Sequence, residues 1–135
     1  MNLVIPIAPK PQSRPRFSRN TKKAYEESSM TAYKKAVAYY VKSYAPIMIE
    51  KGAVIVTVRF YIYPPKYVSE VKKNRLALEK ETIFVDKKPD IDNYFKATTD
   101  ALNGILFKDD GQIAVMSCQK LYSFNPRTEI EVENL

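Results

Sequence analysis

Residues 87–104 read KKPDIDNYFKATTDALNG, and the passage from Pro89 to Gly104 decides how the rest of the chain is arranged around it. Pro89 favours extended backbone just before it, and Gly104 stands where a helix closes in a left-handed residue. A helix over Asp92–Asn103 is therefore predicted. Tyr94, Ala97, Ala101 and Ile105 form an apolar stripe able to face a sheet, while Asp92, Lys96 and Asp100, four apart, form a polar one. With Asp90 still extended, it and Asp92 point to the same side. Asp92 would then sit at the helix N-terminus, where the dipole favours a carboxylate.

Working outward, Leu3, Ile5 and Ile7 alternate over Asn2–Ile7 and predict a first strand. Ala8 to Glu27 is Pro-rich and basic, with Lys10, Arg14, Arg16, Arg19, Lys22 and Lys23, and its prolines predict a loop. Ser28 or Ser29 can cap a helix to about Tyr44, in which Tyr33, Val37, Tyr40 and Tyr44 recur at helical spacing. Val54–Tyr63 is the longest strand pattern and stops at Pro64-Pro65. Lys66–Lys88 is charged, with a possible Ser69-capped turn. Gln112–Tyr122 predicts a strand, Asn125-Pro126 a turn and Thr128–Glu133 a final strand. In that last strand Ile130 and Val132 face in, and Glu129, Glu131 and Glu133 face water. The order β-α-β-α-β-β predicts a single α+β domain over residues 1–135, a small mixed β-sheet with helices packed on one face. The other face is open to a second subunit.

Composition narrows the function. No apolar run is long enough to span a membrane, and Met1–Pro6 lacks the flanks of a signal peptide. One cysteine, Cys118, cannot form an internal disulfide, so a reducing, cytoplasmic setting is expected. With no histidine, metal and acid–base roles fall to carboxylates, lysine or water. The formal charge of +7 points to a polyanionic partner, nucleic acid being the commonest.

A basic chain nevertheless gathers aspartates at two points, Asp90/Asp92 and Asp109/Asp110, each with lysines beside it. Mg²⁺ takes oxygen ligands and keeps several waters, so two or three carboxylates from different segments suit it. The short link from Gly104 to Lys108 permits the chain to return antiparallel along the helix and close such a site. Lys96, one turn beyond Asp92, is placed to hold a scissile phosphate or stabilise a leaving oxygen. The plainer alternatives are that Asp90 and Asp92 cap the helix, that Asp109-Asp110-Gly111 is a turn, and that Asp100 pairs with Lys96.

The ordered set Lys88-Pro89-Asp90-x-Asp92-Asn93-x-x-Lys96, Asp100-Ala101-Leu102-Asn103-Gly104 and Asp109-Asp110-x-Gln112-Ile113 resembles the signature of the RusA family, the phage- and prophage-borne Holliday junction resolvases. A weaker likeness extends through Arg14-Pro15-Arg16 and Ala24-Tyr25 to the first helix. The resemblance implies a homodimer acting on a four-way DNA junction, with Mg²⁺ or Mn²⁺ as cofactor. It maps the essential acidic residues onto Asp90, Asp92 and Asp110, a neighbouring acidic position onto Asp109, and the functional lysine onto Lys96. Lys10, Arg14, Arg16, Lys87, Lys88 and Lys96 are the expected DNA contacts. Lys87-Lys88-Pro89 stands where some members carry arginines, and lysine lacks the planar fork that any inherited sequence preference would use. Two alternatives remain open at this point: a general branched-DNA or flap nuclease, and a non-catalytic DNA-binding module indifferent to EDTA.

Overall fold

The computed structural model describes residues 1–13, 16–20 and 24–135, without the side chains of Arg16 and Ala24. Its framework is a four-stranded sheet in the order β1-β6-β4-β5, built from β1 (Asn2–Ile5), β4 (Val54–Ile62), β5 (Ile113–Tyr122) and β6 (Arg127–Asn134). β6 runs antiparallel to both β1 and β4, whereas β4 and β5 are parallel, from Val54 beside Ile113 to Ile62 beside Tyr122. The sheet is mixed, as expected. A parallel pair requires a long crossover, and residues 63–112 supply it.

Two long helices, α1 (Ser28–Ser43) and α4 (Ile91–Leu102), cover one face. Val54, Val56, Val58 and Phe60 of β4 point into that layer and are fully buried. They meet Leu3 and Ile5 of β1, Ile130 and Val132 of β6, and the helix residues Met30, Tyr33, Val37, Val41, Tyr94, Ala97, Ala101 and Leu102. Alternation does the rest. Ile55, Thr57 and Arg59 with Glu129, Glu131 and Glu133 lie on the opposite face, where Arg59 and Glu131 pair at 3.7 Å. Gly104 follows the last turn of α4 at φ 76°, the left-handed residue expected there.

Several expectations are corrected. β1 ends at Ile5 because Pro6 has no N–H to continue the ladder. The basic segment 8–27 is not all loop: β2 (Arg16–Phe17) and β3 (Ala24–Tyr25) form a short antiparallel ribbon. The N-cap position of α1 is Glu27, with Ser28 and Ser29 already inside the first turn. Tyr44 is exposed, its hydroxyl accepting from the Val4 N–H at 3.0 Å. Ser69 ends a helix instead of starting one: α2 is Lys66–Ser69, followed by a 3₁₀ turn over Lys72–Asn74 and by α3 (Arg75–Glu79). Residues 83–85 then run antiparallel along the end of β5, with Val85 N–H on Lys120 O (2.9 Å) and Tyr122 N–H on Ile83 O (3.0 Å). The turn at Asn125-Pro126 is not a hairpin between neighbours, since it carries the chain past the end of β4 to its far side. Among the described residues no helix is long and apolar enough to cross a membrane.

Candidate active site

α4 presents its N-terminus at the end of the sheet where β4 finishes. Asp90 occupies the cap position with extended backbone (φ −67°, ψ 145°), yet its side chain makes no capping hydrogen bond. The capping alternative therefore does not account for Asp90. Its exposed carboxylate faces Lys88 Nζ at 3.9 Å. Asp92, in the first turn, is also exposed and accepts from the N–H of its neighbour Asn93 at 3.0 Å.

The loop that delivers these two carboxylates is held by a residue the sequence reading did not single out. Lys120 Nζ donates to the carbonyls of Lys87 (2.8 Å) and Pro89 (2.9 Å). In the strand register Lys120 lies beside Phe60, on the helix-covered side of β5 with Met116 and Cys118. A lysine interrupting that inward alternation was the available signal. Lys120→Met, which removes both bonds, is expected to speed amide exchange over residues 86–91 by at least about tenfold, the worth of a single charge-assisted hydrogen bond. Unchanged exchange would mean that the loop is held by other contacts.

The basic N-terminal segment reaches the same end of α4. Gln12 N–H donates to Asn93 O at 2.9 Å, and the Lys10 backbone bonds the phenol of Tyr33, whose pKa burial raises. Lys10 is half-buried, and Lys87 and Lys88 are exposed beside Asp90. Arg14 lies outside the described residues. Arg16 is in β2, its side chain not described. Lys96 is 62 % exposed and pairs with Asp100 at 3.6 Å. Asp100 does more than this, because it also takes Lys34 at 3.0 Å, and Lys34 pairs with Glu26 at 3.0 Å. Burial works against the Lys34 charge, but the hydrogen bonds to Glu26 and Asp100 outweigh it and raise its pKa.

The second aspartate pair lies elsewhere. Gly104 N–H bonds Phe107 O (2.8 Å), Leu106 N–H bonds Leu102 O (3.2 Å), and Phe107 bridges to Ile49. Residues 105–109 thus stay at the C-terminal end of α4, and it is β5 that runs back along the helix. The expected antiparallel return is made by β5, after Asp110, so it does not bring Asp109 and Asp110 beside Asp90 and Asp92. Asp109 and Asp110 are separated from Asp90 and Asp92 by the length of α4, whose twelve residues span about 18 Å. Asp109 is the turn residue of the plainer alternative. Its side chain accepts from Gly111 N–H (3.0 Å), its own N–H donates to Gln112 Oε1 (3.0 Å), and Gln112 Nε2 reaches Ile49 O and Gly52 O. A Cβ on Gly111 would stand 2.7 Å from Asp109 Oδ2, so glycine suits this cap. Asp110, by contrast, is exposed and its carboxylate pairs with no described residue.

Asp90, Asp92 and Asp110 are hard oxygen donors, the chemistry that suits Mg²⁺ or Mn²⁺. Cys118, near Asp90, is pushed up to about 11 by burial and stays a protonated thiol at neutral pH. Among the described residues, however, no three His, Cys, Asp or Glu side chains come together to hold a metal. The donor types fit the ion, with Asp90 and Asp92 at one end of α4 and Asp110 beyond the other.

Comparison with known proteins agrees with the residue pattern over nearly the whole chain. Residues 6–133 match the family described as Endodeoxyribonuclease RusA. The uncharacterized protein YqaN of Bacillus subtilis (strain 168) is 37 % identical over 129 residues, covering 94 % of this chain and 91 % of its own length. The chain belongs to the RusA family of endodeoxyribonucleases, divalent-metal-dependent enzymes that resolve Holliday junctions.

Proposed function

We propose that this protein is a Mg²⁺-dependent resolvase, with Mn²⁺ as substitute, that cuts four-way DNA junctions by paired symmetric nicks. In this reading it works as a homodimer in which each active site combines Asp90 and Asp92 of one protomer with the partner's Asp110. The observation that carries it is the position of three exposed carboxylates at opposite ends of α4 in a chain of this family, Asp90 and Asp92 at its start and Asp110 beyond its end. Asp90 and Asp92, two carboxylates two residues apart, repel each other, and a divalent cation between them removes that repulsion.

The edge of the sheet supports a dimer of this form. Beyond the short pairing with residues 83–85, β5 leaves Ile113–Gln119 at the sheet edge, with Val115 and Met116 45 % and 52 % exposed. A long apolar edge strand invites pairing with another strand. Two such edges paired antiparallel about a two-fold axis near Met116 set Ile113 of one copy opposite the partner's Gln119. Asp110 then approaches the partner's Lys120, the residue that holds the Asp90 loop.

Lys10, Arg14, Arg16, Lys87 and Lys88 bind backbone phosphates and read no sequence. Lys96 leaves its exposed pair with Asp100, worth little in water, and takes the scissile phosphate. A divalent cation, when bound, supplies Lewis acidity toward the attacking water and the phosphate oxygens. Water oxygen bonds to phosphorus as the P–O3′ bond breaks, and the 3′ oxygen leaves with a proton. The products are a 5′-phosphate and a 3′-hydroxyl, ends that a ligase joins. Two-fold symmetry matches two sites to strands of like polarity.

The test is cleavage of a labelled synthetic four-way junction, a flap and a matched linear duplex, by wild type and by Asp90→Asn. Wild type is expected to make symmetric nicks in the junction alone, to lose them in EDTA, and to outpace Asp90→Asn by at least about a thousandfold. Junction binding without nicks in Mg²⁺ or Mn²⁺ would leave a DNA-binding module, and equal cutting of flaps and junctions a general branched-DNA nuclease.

A further inference from the structure

The segment between β4 and α4 carries aromatic side chains that the core does not use. Tyr63 follows β4 and Tyr67 lies on α2; they are 60 % and 63 % exposed. Phe124 meets the Tyr63 ring edge-on, centroids 6.0 Å apart, and steadies it. Between Tyr63, Tyr67, Lys87, Lys88 and Pro89 the surface sinks into a cavity of about 150 Å³, its floor formed by the buried rings of Tyr94 and Tyr122. Pro89 precedes Asp90, so whatever enters this cavity lies directly beside the acidic end of α4.

Aromatic walls and two adjacent ammonium groups specify an occupant. Exposed tyrosine rings are costly to hydrate and stack well on any flat π-face. Lysines at the rim suit a ligand whose flat face is flanked by anionic groups. An unpaired nucleobase has this form, with a phosphate on each side of it, and base–aromatic stacking tolerates any base. The cavity is thus suited to unstacked bases and not to a continuous duplex, whose bases offer no free face.

We propose that Tyr63 and Tyr67 form a stacking site for a base unpaired at the point where the junction arms meet, with Lys87 and Lys88 holding its flanking phosphates. This rests on the reading above for the identity of the DNA. The site makes junction preference a property of stacking beside the scissile bond, separate from the electrostatic affinity that every arm shares.

The test uses the full chain and a synthetic four-way junction carrying 2-aminopurine at the exchange point, with the matched duplex alongside, in Ca²⁺ so that binding is read without cutting. Wild type is expected to change the 2-aminopurine fluorescence in the junction and not in the duplex. Tyr63→Ala/Tyr67→Ala should weaken junction binding by about tenfold to a hundredfold while duplex binding stays within about twofold. Tyr67→Phe, which keeps the ring, should bind as wild type. Equal losses on junction and duplex, an unresponsive fluorophore, or a Tyr67→Phe as weak as the alanine variant would each overturn the proposal. A wild type that stacks the base in Ca²⁺ yet never cuts in Mg²⁺ would refute the nuclease reading and leave the stacking site standing. Cleavage with an unresponsive fluorophore would do the reverse.

Discussion

Asp90→Asn and Asp110→Asn are each expected to be inactive alone and to regain cleavage when mixed. Asparagine preserves the shape of each side chain and removes the charge that a divalent cation needs. In a site built within one chain, every protomer of the mixture carries a lesion and no exchange of subunits repairs it. In a site shared across a dimer, one heterodimer site receives both lesions and the other receives none. Random exchange makes half the dimers mixed, so about a quarter of the sites are intact. Each mixed dimer can cut one strand only. A denaturing gel should therefore show single nicks returning while paired, symmetric resolution does not. Silence in the mixture, after exchange has been verified with two affinity tags, would place all three carboxylates in one protomer. That outcome would demand a rearrangement across the length of α4, about 18 Å.

Arg127→Ala is expected to lower stability at neutral pH by about 2–3 kcal/mol. The Arg127 guanidinium donates to both oxygens of Glu81 (2.6 and 2.9 Å) and to Glu129 (2.9 Å), and lies 3.9 Å from the Tyr61 ring centroid. Ser123 donates a further hydrogen bond to Glu81. Glu81 adopts left-handed backbone at φ 57°, a conformation that costs a non-glycine residue about 1 kcal/mol, and this cluster offsets it. Removing the guanidinium leaves two half-buried carboxylates without their cation. Since Arg127 joins β6 to the segment leading into residues 83–85, the change should loosen the aromatic surface as well.

The pH dependence identifies the source. The Arg127 hydrogen bonds lower the Glu81 pKa below its ordinary 4.5, against the opposing effect of burial, and the Ser123 hydrogen bond helps. A lowered folded-state pKa contributes stability that is complete above the unfolded value and is lost as pH falls through the folded one. Wild type should therefore lose this stability below about pH 4.5, and Arg127→Ala should lack that component. Urea titrations at pH 7 and pH 3 measure both. A deficit in the variant that is equally large at the two pH values would assign the loss to packing on Tyr61 and not to the ion pair.

Helices and strands with a one-sided apolar pattern were legible from local spacing. Val54, Val56, Val58 and Phe60 alternate, and Tyr94, Ala97 and Ala101 repeat with the helical turn, because a single buried face imposes its period on the chain. Segment 66–86 was not legible. Its short helices bury little, and Arg127, more than forty residues away, fixes its end. Lys120 was overlooked for a similar reason: its partners are carbonyls, and no side-chain pattern announces a backbone acceptor.

By itself the sequence determined the chemistry available and the family. Charge, the absence of histidine, and the aspartates with their spacing are properties of composition and local order. Only the tertiary structure decided which of those residues meet. Asp90 escapes capping, Asp109 is committed to a turn and Asp110 stands at the opposite end of α4. Distance in the chain does not settle distance in space, because the parallel pairing of β4 with β5 sends the chain back along α4 only after Asp110 has been placed.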